Sequence, residues 1–289
     1  MLYLIGIIAV GVILALQYLL KDKAGSFLTR LLSGIVLVLL ALMTIGSGGW
    51  VLFCTALLLS LIGMVELFRA LGIRKEGKPD TLELLGYVGV AVYYVCIGFL
   101  PEQVRWIGIL LALMVILAYY VFAFPRCEIR NVMEVVFSIL YVGVMLSCVW
   151  QIRMMETGKY LVWLVFLAAW GSDTCAYCAG MLWGKHKMTP VLSPKKTIEG
   201  AVGGLAGAAV LGLLYGFFTT RRVVIYMLIC LIGAAVSMIG DLAASAVKRQ
   251  VGVKDFGTLI PGHGGVLDRF DSVIFTAPVI YLLAFTWIT

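Results

Sequence analysis

Residues 223–243, VVIYMLICLIGAAVSMIGDLA, form an apolar stretch as long as a membrane-spanning helix. About 20 consecutive apolar residues cross the ~30 Å hydrocarbon core of a bilayer as an α-helix. One ionisable side chain, Asp241, interrupts the stretch near its end. Because an unpaired charge is costly inside a membrane, an acid at this position indicates a functional site. The stretch therefore indicates a membrane helix and a place for polar chemistry.

The rest of the 289-residue chain has the same apolar character. Hydrophobic residues make up 63% of it and charged residues 13%, whereas soluble domains average about 25% charged residues. The sequence predicts an all-α, polytopic integral membrane helix bundle with about ten transmembrane helices, in the range 8–10. The candidate segments are at about residues 2–20, 31–46, 50–68, 82–100, 106–124, 132–150, 160–182, 201–218, 223–243 and 272–289.

Lysines and arginines are unevenly distributed over the loops between these segments. If all ten segments span, alternate loops hold 17 and 5 of the 22 basic residues. Cytoplasmic loops of membrane proteins carry the excess of Lys and Arg. The pattern predicts a protein of the plasma (inner) membrane with both termini outside and its basic loops in the cytoplasm. These loops account for the net charge of +7, and no nucleic-acid-binding pattern accompanies it.

Polar residues within apolar segments are concentrated in the second half of the chain. Residues 1–165 are interpreted as a transmembrane scaffold, and residues 166–289 as a catalytic transmembrane region with a cytoplasmic signature loop at 244–271. Glu66 is the exception in the first half. Because it lies near the end of a segment, it is expected to reach the membrane interface beside Arg69.

The first polar element is GSDTCAYCAGMLWGKHK, residues 171–187. It places Asp173 well inside an apolar segment, on a helical face that also carries Gly180 and Gly184. Small residues on one face are typical of close helix packing, and an acid within a span is typical of a site. The pattern supports both interpretations.

The second polar element is SPKKTIEG, residues 193–200, directly before a glycine-rich segment. Ser193 is predicted as the N-cap of a helix, followed by proline at its first position. Lys195 and Lys196 beside the free N–H groups of a helix start would attract an anion, although they also fit cytoplasmic loop lysines. The glycines that follow predict the close approach of another helix.

The third polar element is SAVKRQVGVKDFGTLIPGHGGVLDRFD, residues 245–271. On a continuous helix Asp241, Ser245 and Lys248 share one face. Carboxylates gathered near lysines and an arginine suit a Mg²⁺-bound polyphosphate, because Mg²⁺ prefers oxygen ligands and keeps several waters. The basic groups would neutralise phosphate charge, as phosphoryl-transfer sites require.

This third element resembles the C-terminal signature of the phosphatidate cytidylyltransferases, also called CDP-diacylglycerol synthases. The signature S-x-Φ-K-R-x4-K-D-x-small-x2-Φ-P-x-H-G-G-Φ-x-D-R-Φ-D, with Φ apolar, is matched without a mismatch. The SDTxAY and SPKKTxEG elements also match, which extends the resemblance over about residues 171–272. The resemblance implies transfer of a cytidylyl group from CTP to phosphatidic acid in phospholipid biosynthesis, giving CDP-diacylglycerol and pyrophosphate. It also implies dependence on Mg²⁺, and the sequence leaves open a second, monovalent cation.

The resemblance gives the polar residues expected roles. Asp241 and Asp268 are expected as principal cation ligands, and Asp255 and Asp271 as further ligands or as supports of them. The residues expected to bind substrate are Ser172, Asp173, Lys195, Lys196, Ser245, Lys248, Arg249, Lys254, His263, Gly264, Gly265 and Arg269. Of these, Lys248 and Lys254 are assigned to catalysis with Asp241 and Asp268. The expected partners are CTP, phosphatidic acid and the lipid bilayer, and the sequence leaves a homodimer open.

Two other functions are weighed against this one. A CTP-dependent lipid-alcohol kinase, such as a dolichol kinase, has a related C-terminal organisation, but the uninterrupted signature argues against it. An ion-coupled transporter would explain acids within spans next to glycine-broken helices. It would not explain the basic residues of the third element. Product analysis with CTP separates the three functions.

Overall fold

The computed structural model describes residues 39–74, 79–260 and 264–288. Within these ranges eight helices are long and apolar enough to cross a membrane, which confirms the all-α membrane fold. Of the ten candidate segments, 2–20 lies outside the described residues, and residues 39–46 of segment 31–46 are helical. The eight helices are α1 (Gly49–Leu71), α2 (Thr81–Phe99), α3 (Ile107–Ala123), α4 (Ile129–Met154), α5 (Gly158–Trp183), α6 (Ile198–Phe218), α7 (Val223–Gln250) and α8 (Leu267–Trp287).

Three of these helices carry local departures from α geometry. A 3-10 turn at Glu102–Val104 precedes α3. A π-turn at Ile139–Val144 interrupts α4, and a second π-turn at Leu167–Gly171 interrupts α5 directly before Ser172. Such π-turns are frequent at functional sites in proteins. The sequence pattern predicted continuous helices at both places. A π-turn adds one residue to a helical turn, and the spacing of apolar residues in a membrane segment does not reveal it.

A short β-hairpin lies between α5 and α6, where the sequence predicted the start of a helix. Its strands are β1 (Lys187–Thr189) and β2 (Ser193–Thr197), which pair antiparallel. The prediction of Ser193 as the N-cap was wrong, because the SPKK residues pair as a strand. The helix begins at Ile198, and the Thr197 side chain caps it by accepting a 3.1 Å hydrogen bond from the Gly200 N–H.

Glycines allow α6 to pack closely between α5 and α7. A side-chain carbon at Gly203 would overlap Ala179 of α5, and one at Gly207 would overlap Cys175. On the other side, Gly212 faces Cys230 of α7. The predicted close approach of another helix to this segment is confirmed. The packing aligns the hairpin with the end of α7 that carries the polar residues.

The signature residues are more helical than the sequence indicated. The segment predicted as 223–243 continues as α7 to Gln250, and the segment predicted as 272–289 begins at Leu267. The described residues between these two helices, 251–260 and 264–266, are not helical, so the loop is shorter than the 244–271 assigned from the pattern. We call the end of the bundle that carries this loop and the hairpin the loop end. Because Asp241, Lys248, Asp268 and Asp271 lie on helices, rigid elements position them.

Candidate active site

Asp268 lies in the first turn of α8 and is enclosed by donors. Its Oδ1 accepts a 2.9 Å hydrogen bond from Lys248 Nζ at the end of α7. Its Oδ2 accepts the backbone N–H groups of Phe256 and Gly265, at 2.8 and 2.9 Å. The side chain is 1% exposed. Asp268 therefore ties both ends of the signature loop to α8 and also balances the charge of Lys248.

Asp241 forms a second ion pair, which is more open to solvent. Its Oδ2 lies 2.5 Å from Lys196 Nζ of strand β2. The two side chains are 28% and 27% exposed. Lys196 reaches α7 because β2 ends directly before α6, which packs against α7. The second and third polar elements of the sequence thus meet in this ion pair.

Asp173 and Asp271 complete a group of four acids, which we call the carboxylate group: Asp173, Asp241, Asp268 and Asp271. Asp173 on α5 interacts electrostatically with Asp241, and Asp271 on α8 interacts with both of them. Asp271 is buried, and its Oδ1 accepts a 2.7 Å hydrogen bond from the Ser272 N–H. The cations nearby are Lys196, Lys248 and Arg269. Like charges in one group repel each other, and these basic side chains offset part of that repulsion.

Glu66 of α1 also belongs to this region, contrary to the expectation that it reaches the interface. It is 4% exposed. Its carboxylate oxygens accept the backbone N–H groups of Val266 and Leu267, at 3.0 and 2.8 Å. These N–H groups form the start of α8, where a negative charge is favourable. Glu66 therefore anchors the start of α8 from the N-terminal half of the chain.

The glycines of the signature loop are required by close contacts. Gly264 has a φ of 86°, which strongly favours glycine. Its carbonyl accepts a 2.8 Å hydrogen bond from the Ile260 N–H. Side-chain atoms at Gly265 would overlap the Glu66 carboxylate. His263 lies outside the described residues.

Several predicted residues in the described part of the chain form no hydrogen bond or ion pair with the carboxylate group, although Asp255 and Asp268 both lie against Gly264. Arg249, Lys254 and Asp255 are exposed, and none of them forms an ion pair with another described residue. Lys195 is exposed on β2 beside the paired Lys196, and Ser245 is half-buried on α7. Ser172 is buried, and its hydroxyl donates a 3.0 Å hydrogen bond to the Ala169 carbonyl. Their substrate and metal roles stay predictions.

A sequence profile of the cytidylyltransferase family matches residues 28–287, which is nearly the whole chain. The chain belongs to this family. It is similar to proteins named phosphatidate cytidylyltransferase from three staphylococci. It is 33% identical to that of Staphylococcus saprophyticus over 263 residues, 34% to that of Staphylococcus epidermidis over 264 and 33% to that of Staphylococcus aureus over 263. Each match covers 88% of this chain and 97% of the relative.

Membership of the cytidylyltransferase family makes the protein a nucleotidyltransferase with a lipid-embedded helix bundle. Within the described residues no three His, Cys, Asp or Glu side chains are grouped so that they could hold a metal ion. Mg²⁺ commonly takes only one or two carboxylates and completes its shell with waters and substrate phosphates. The carboxylate group supplies oxygen donors, and its four acids outnumber the three basic side chains nearby. Both properties fit Mg²⁺.

Two site residues had little signal in the sequence. Glu66 was noticed only as an acid near a helix end, and its backbone partners are 200 and 201 residues away. Tyr141 of the α4 π-turn interacts electrostatically with Asp241, Asp268 and Asp271. An aromatic residue in an apolar segment is usually core, so only the fold could reveal this neighbourhood.

Proposed function

We propose that the protein is a phosphatidate cytidylyltransferase, which joins the cytidylyl group of CTP to phosphatidic acid. The observation that carries the proposal is the pair of lysine–carboxylate contacts, Lys196 with Asp241 and Lys248 with Asp268, at one end of three packed helices. Such a site presents ammonium groups to phosphates and carboxylates to a cation. The names of the relatives supply the substrates.

The reaction needs orientation and charge neutralisation more than it needs a base. A phosphate oxygen of phosphatidic acid attacks the α-phosphorus of CTP in line, and the bond from that phosphorus to the bridging β-phosphate oxygen breaks. Pyrophosphate carries away the electron pair. Since the attacking phosphate is already an anion, no proton has to be removed from it. Preorganised positive groups that meet developing charge account for large rate effects in such sites.

The chain's own residues divide these tasks. Lys196 and Lys248, with Arg269 nearby, neutralise phosphate oxygens when substrates displace the ion pairs to the carboxylates. Asp268 holds the signature loop against α8 so that its glycine backbone can approach phosphate. Asp241, with one of its neighbours Asp173 and Asp271, would hold Mg²⁺ together with substrate phosphates. When bound, Mg²⁺ would draw charge from the phosphates and fix their geometry.

The proposal includes the location of the reaction. The basic loops favour the cytoplasmic face of the plasma (inner) membrane for the loop end. CTP would then enter from the cytoplasm, and phosphatidic acid would enter from the surrounding bilayer. A homodimer and a second, monovalent cation stay open predictions of the sequence.

Product analysis tests the proposal against its alternatives. Purified protein in detergent receives CTP, Mg²⁺ and phosphatidic acid, and the soluble products are separated. We expect pyrophosphate in equal amount to a new cytidine-containing lipid, and neither product without phosphatidic acid. Release of CDP with a lipid alcohol as acceptor would instead indicate the kinase. No turnover of CTP with any lipid would leave the transporter.

A further inference from the structure

Tyr141 has a buried hydroxyl without a hydrogen-bond partner among the described residues. The residue is 5% exposed, and its Oη is fully enclosed. An unpaired buried hydroxyl is destabilising, because it loses its hydrogen bonds to water and gains none in the protein. Most buried polar groups in proteins are paired, so each exception calls for an explanation. Phenylalanine would fill the same space without this cost.

The Tyr141 side chain lies near the carboxylate group and packs between two aromatic rings. The charged groups that act on it are Asp271, Asp241 and Asp268. Its ring stacks on Phe137 at a centroid distance of 5.3 Å and meets Phe275 edge-on at 5.9 Å. Because two rings hold it, the phenol has a fixed direction. Although Asp271 is near, no hydrogen bond joins it to the hydroxyl.

The α4 π-turn supplies this position, and neighbouring helices fix the turn on two sides. Gly143 lies against Val90 of α2, where an added side-chain carbon would lie 2.7 Å from Val90 Cγ2. Val142 packs against Gly63 of α1, where an added side-chain carbon on the glycine would lie 2.9 Å from Val142 Cγ1. Inserting one residue rotates the following helix face, so the turn determines where Tyr141 points. A π-turn held this tightly is typical of functional sites.

Tyr141 approaches the carboxylate group from the membrane interior. It lies twelve residues after the start of α4 at the loop end, which corresponds to about 18 Å at 1.5 Å per residue. Phe275, against which it packs, is one helical turn deeper along α8 than Asp271. Lys248 and Asp268, in contrast, lie in the last and first turns of their helices. The hydroxyl therefore lies deeper in the helix bundle than Lys248 and Asp268.

We propose that the Tyr141 hydroxyl binds the phosphate group of the lipid substrate by donating a hydrogen bond to one of its oxygens. The inference rests on the proposed function, since it assumes a phosphatidic acid that enters from the bilayer. A neutral phenol keeps its proton and forms no covalent bond here. It orients the attacking phosphate from the side of the membrane interior, while the lysines bind phosphate oxygens from the loop end. The unpaired hydroxyl is thereby paired when the lipid is bound.

Tyr141→Phe tests the proposal, because it removes only the hydroxyl. Initial rates are measured in mixed micelles with each substrate varied in turn. A hydrogen bond to a charged group contributes enough that kcat/KM for phosphatidic acid should fall roughly 10- to 100-fold. KM for CTP should not change. Thermal stability should stay the same or rise, because the hydroxyl has no partner to lose.

Tyr94→Phe is the matched control. Tyr94 of α2 is also fully buried, but its hydroxyl forms a 3.0 Å hydrogen bond with the hydroxyl of Ser60 of α1. It should lose stability and keep both kinetic constants. Binding of dihexanoyl phosphatidic acid without CTP, measured by calorimetry at low temperature, gives a second readout. Weaker binding by Tyr141→Phe supports the proposal even if that variant melts early.

Three outcomes are distinguishable. Unchanged lipid kinetics and unchanged lipid binding in Tyr141→Phe would overturn the inference and leave the proposed function intact. A rise in KM for CTP alone would also overturn it, because the hydroxyl would then serve the nucleotide. An inactive wild-type protein that binds no phosphatidic acid would refute the proposed function itself.

Discussion

Asp241 and Asp268 have the same side chain and the same kind of partner, yet their environments differ. Asp268 accepts three hydrogen bonds and is almost fully enclosed, so its carboxylate is committed to the signature loop. Asp241 contacts one half-buried lysine. If a cation or a group bound to phosphate replaces that lysine, little buried surface is lost. We therefore expect Asp241 to be the more accessible ligand of the two.

Asp241→Asn should lower turnover by about 100-fold or more, because charge stabilisation at a reacting centre has effects of this size. Folding should be little affected, since ion pairs that remain open to solvent contribute about 0–1 kcal/mol and this pair is partly open. Turnover and thermal unfolding of the purified variant check both statements. Glu102→Gln, an exposed acid on the opposite side of the bundle, is the control and should keep full activity. Normal turnover in Asp241→Asn would exclude this carboxylate as a ligand.

Helix α8 is positioned by contacts from both halves of the chain, and Glu66 is the clearest of them. Glu66→Ala would leave the buried N–H groups of Val266 and Leu267 without an acceptor. We expect a loss of about 3 kcal/mol or more in the free energy of unfolding, with reduced turnover.

Denaturant titration and the CTP assay measure this loss. Glu128→Ala is the control, because Glu128 is exposed at the start of α4 and makes no side-chain capping bond there. It should change stability by no more than about 0.5 kcal/mol. Equal stability of Glu66→Ala and wild type would show that the start of α8 does not depend on Glu66.

Close packing of α5 and α6 leads to another prediction at the scale of helices. The methyl group of Gly203→Ala would overlap Ala179, and overpacking of this kind costs about 1–3 kcal/mol. The control Gly46→Ala has open space around the added carbon, so it should be neutral or slightly stabilising. Melting temperatures in one detergent compare the two variants. A Gly203→Ala protein as stable as wild type would contradict the close approach.

Local patterns in the sequence predicted some elements and missed others for physical reasons. Apolar length predicted the helices, and the glycines of α6 predicted its close neighbour, because both signals are local. The start of α6 was misplaced, because Ser193 and Thr197 are both suitable caps and strand pairing decided between them. The contact of Glu66 with α8 joins residues 200 positions apart, and no local pattern contains it.

The arrangement of the whole molecule predicts opposite accessibility for its two ends. Cysteines introduced at Lys185, between α5 and β1, and at Glu102, between α2 and α3, lie on opposite sides if each helix spans. In a cysteine-depleted background, a membrane-impermeant maleimide should label Glu102→Cys in intact cells and Lys185→Cys only after lysis. The reverse pattern would place the loop end outside the cell, away from CTP.

The transferred phosphorus atom tests the central claim most directly. Purified protein is incubated with phosphatidic acid, Mg²⁺ and CTP labelled with ³²P at either the α or the γ position, and the lipid is extracted. We predict that the α label enters the lipid and the γ label remains in water as pyrophosphate. Entry of the γ label into the lipid, with release of CDP, would contradict cytidylyl transfer.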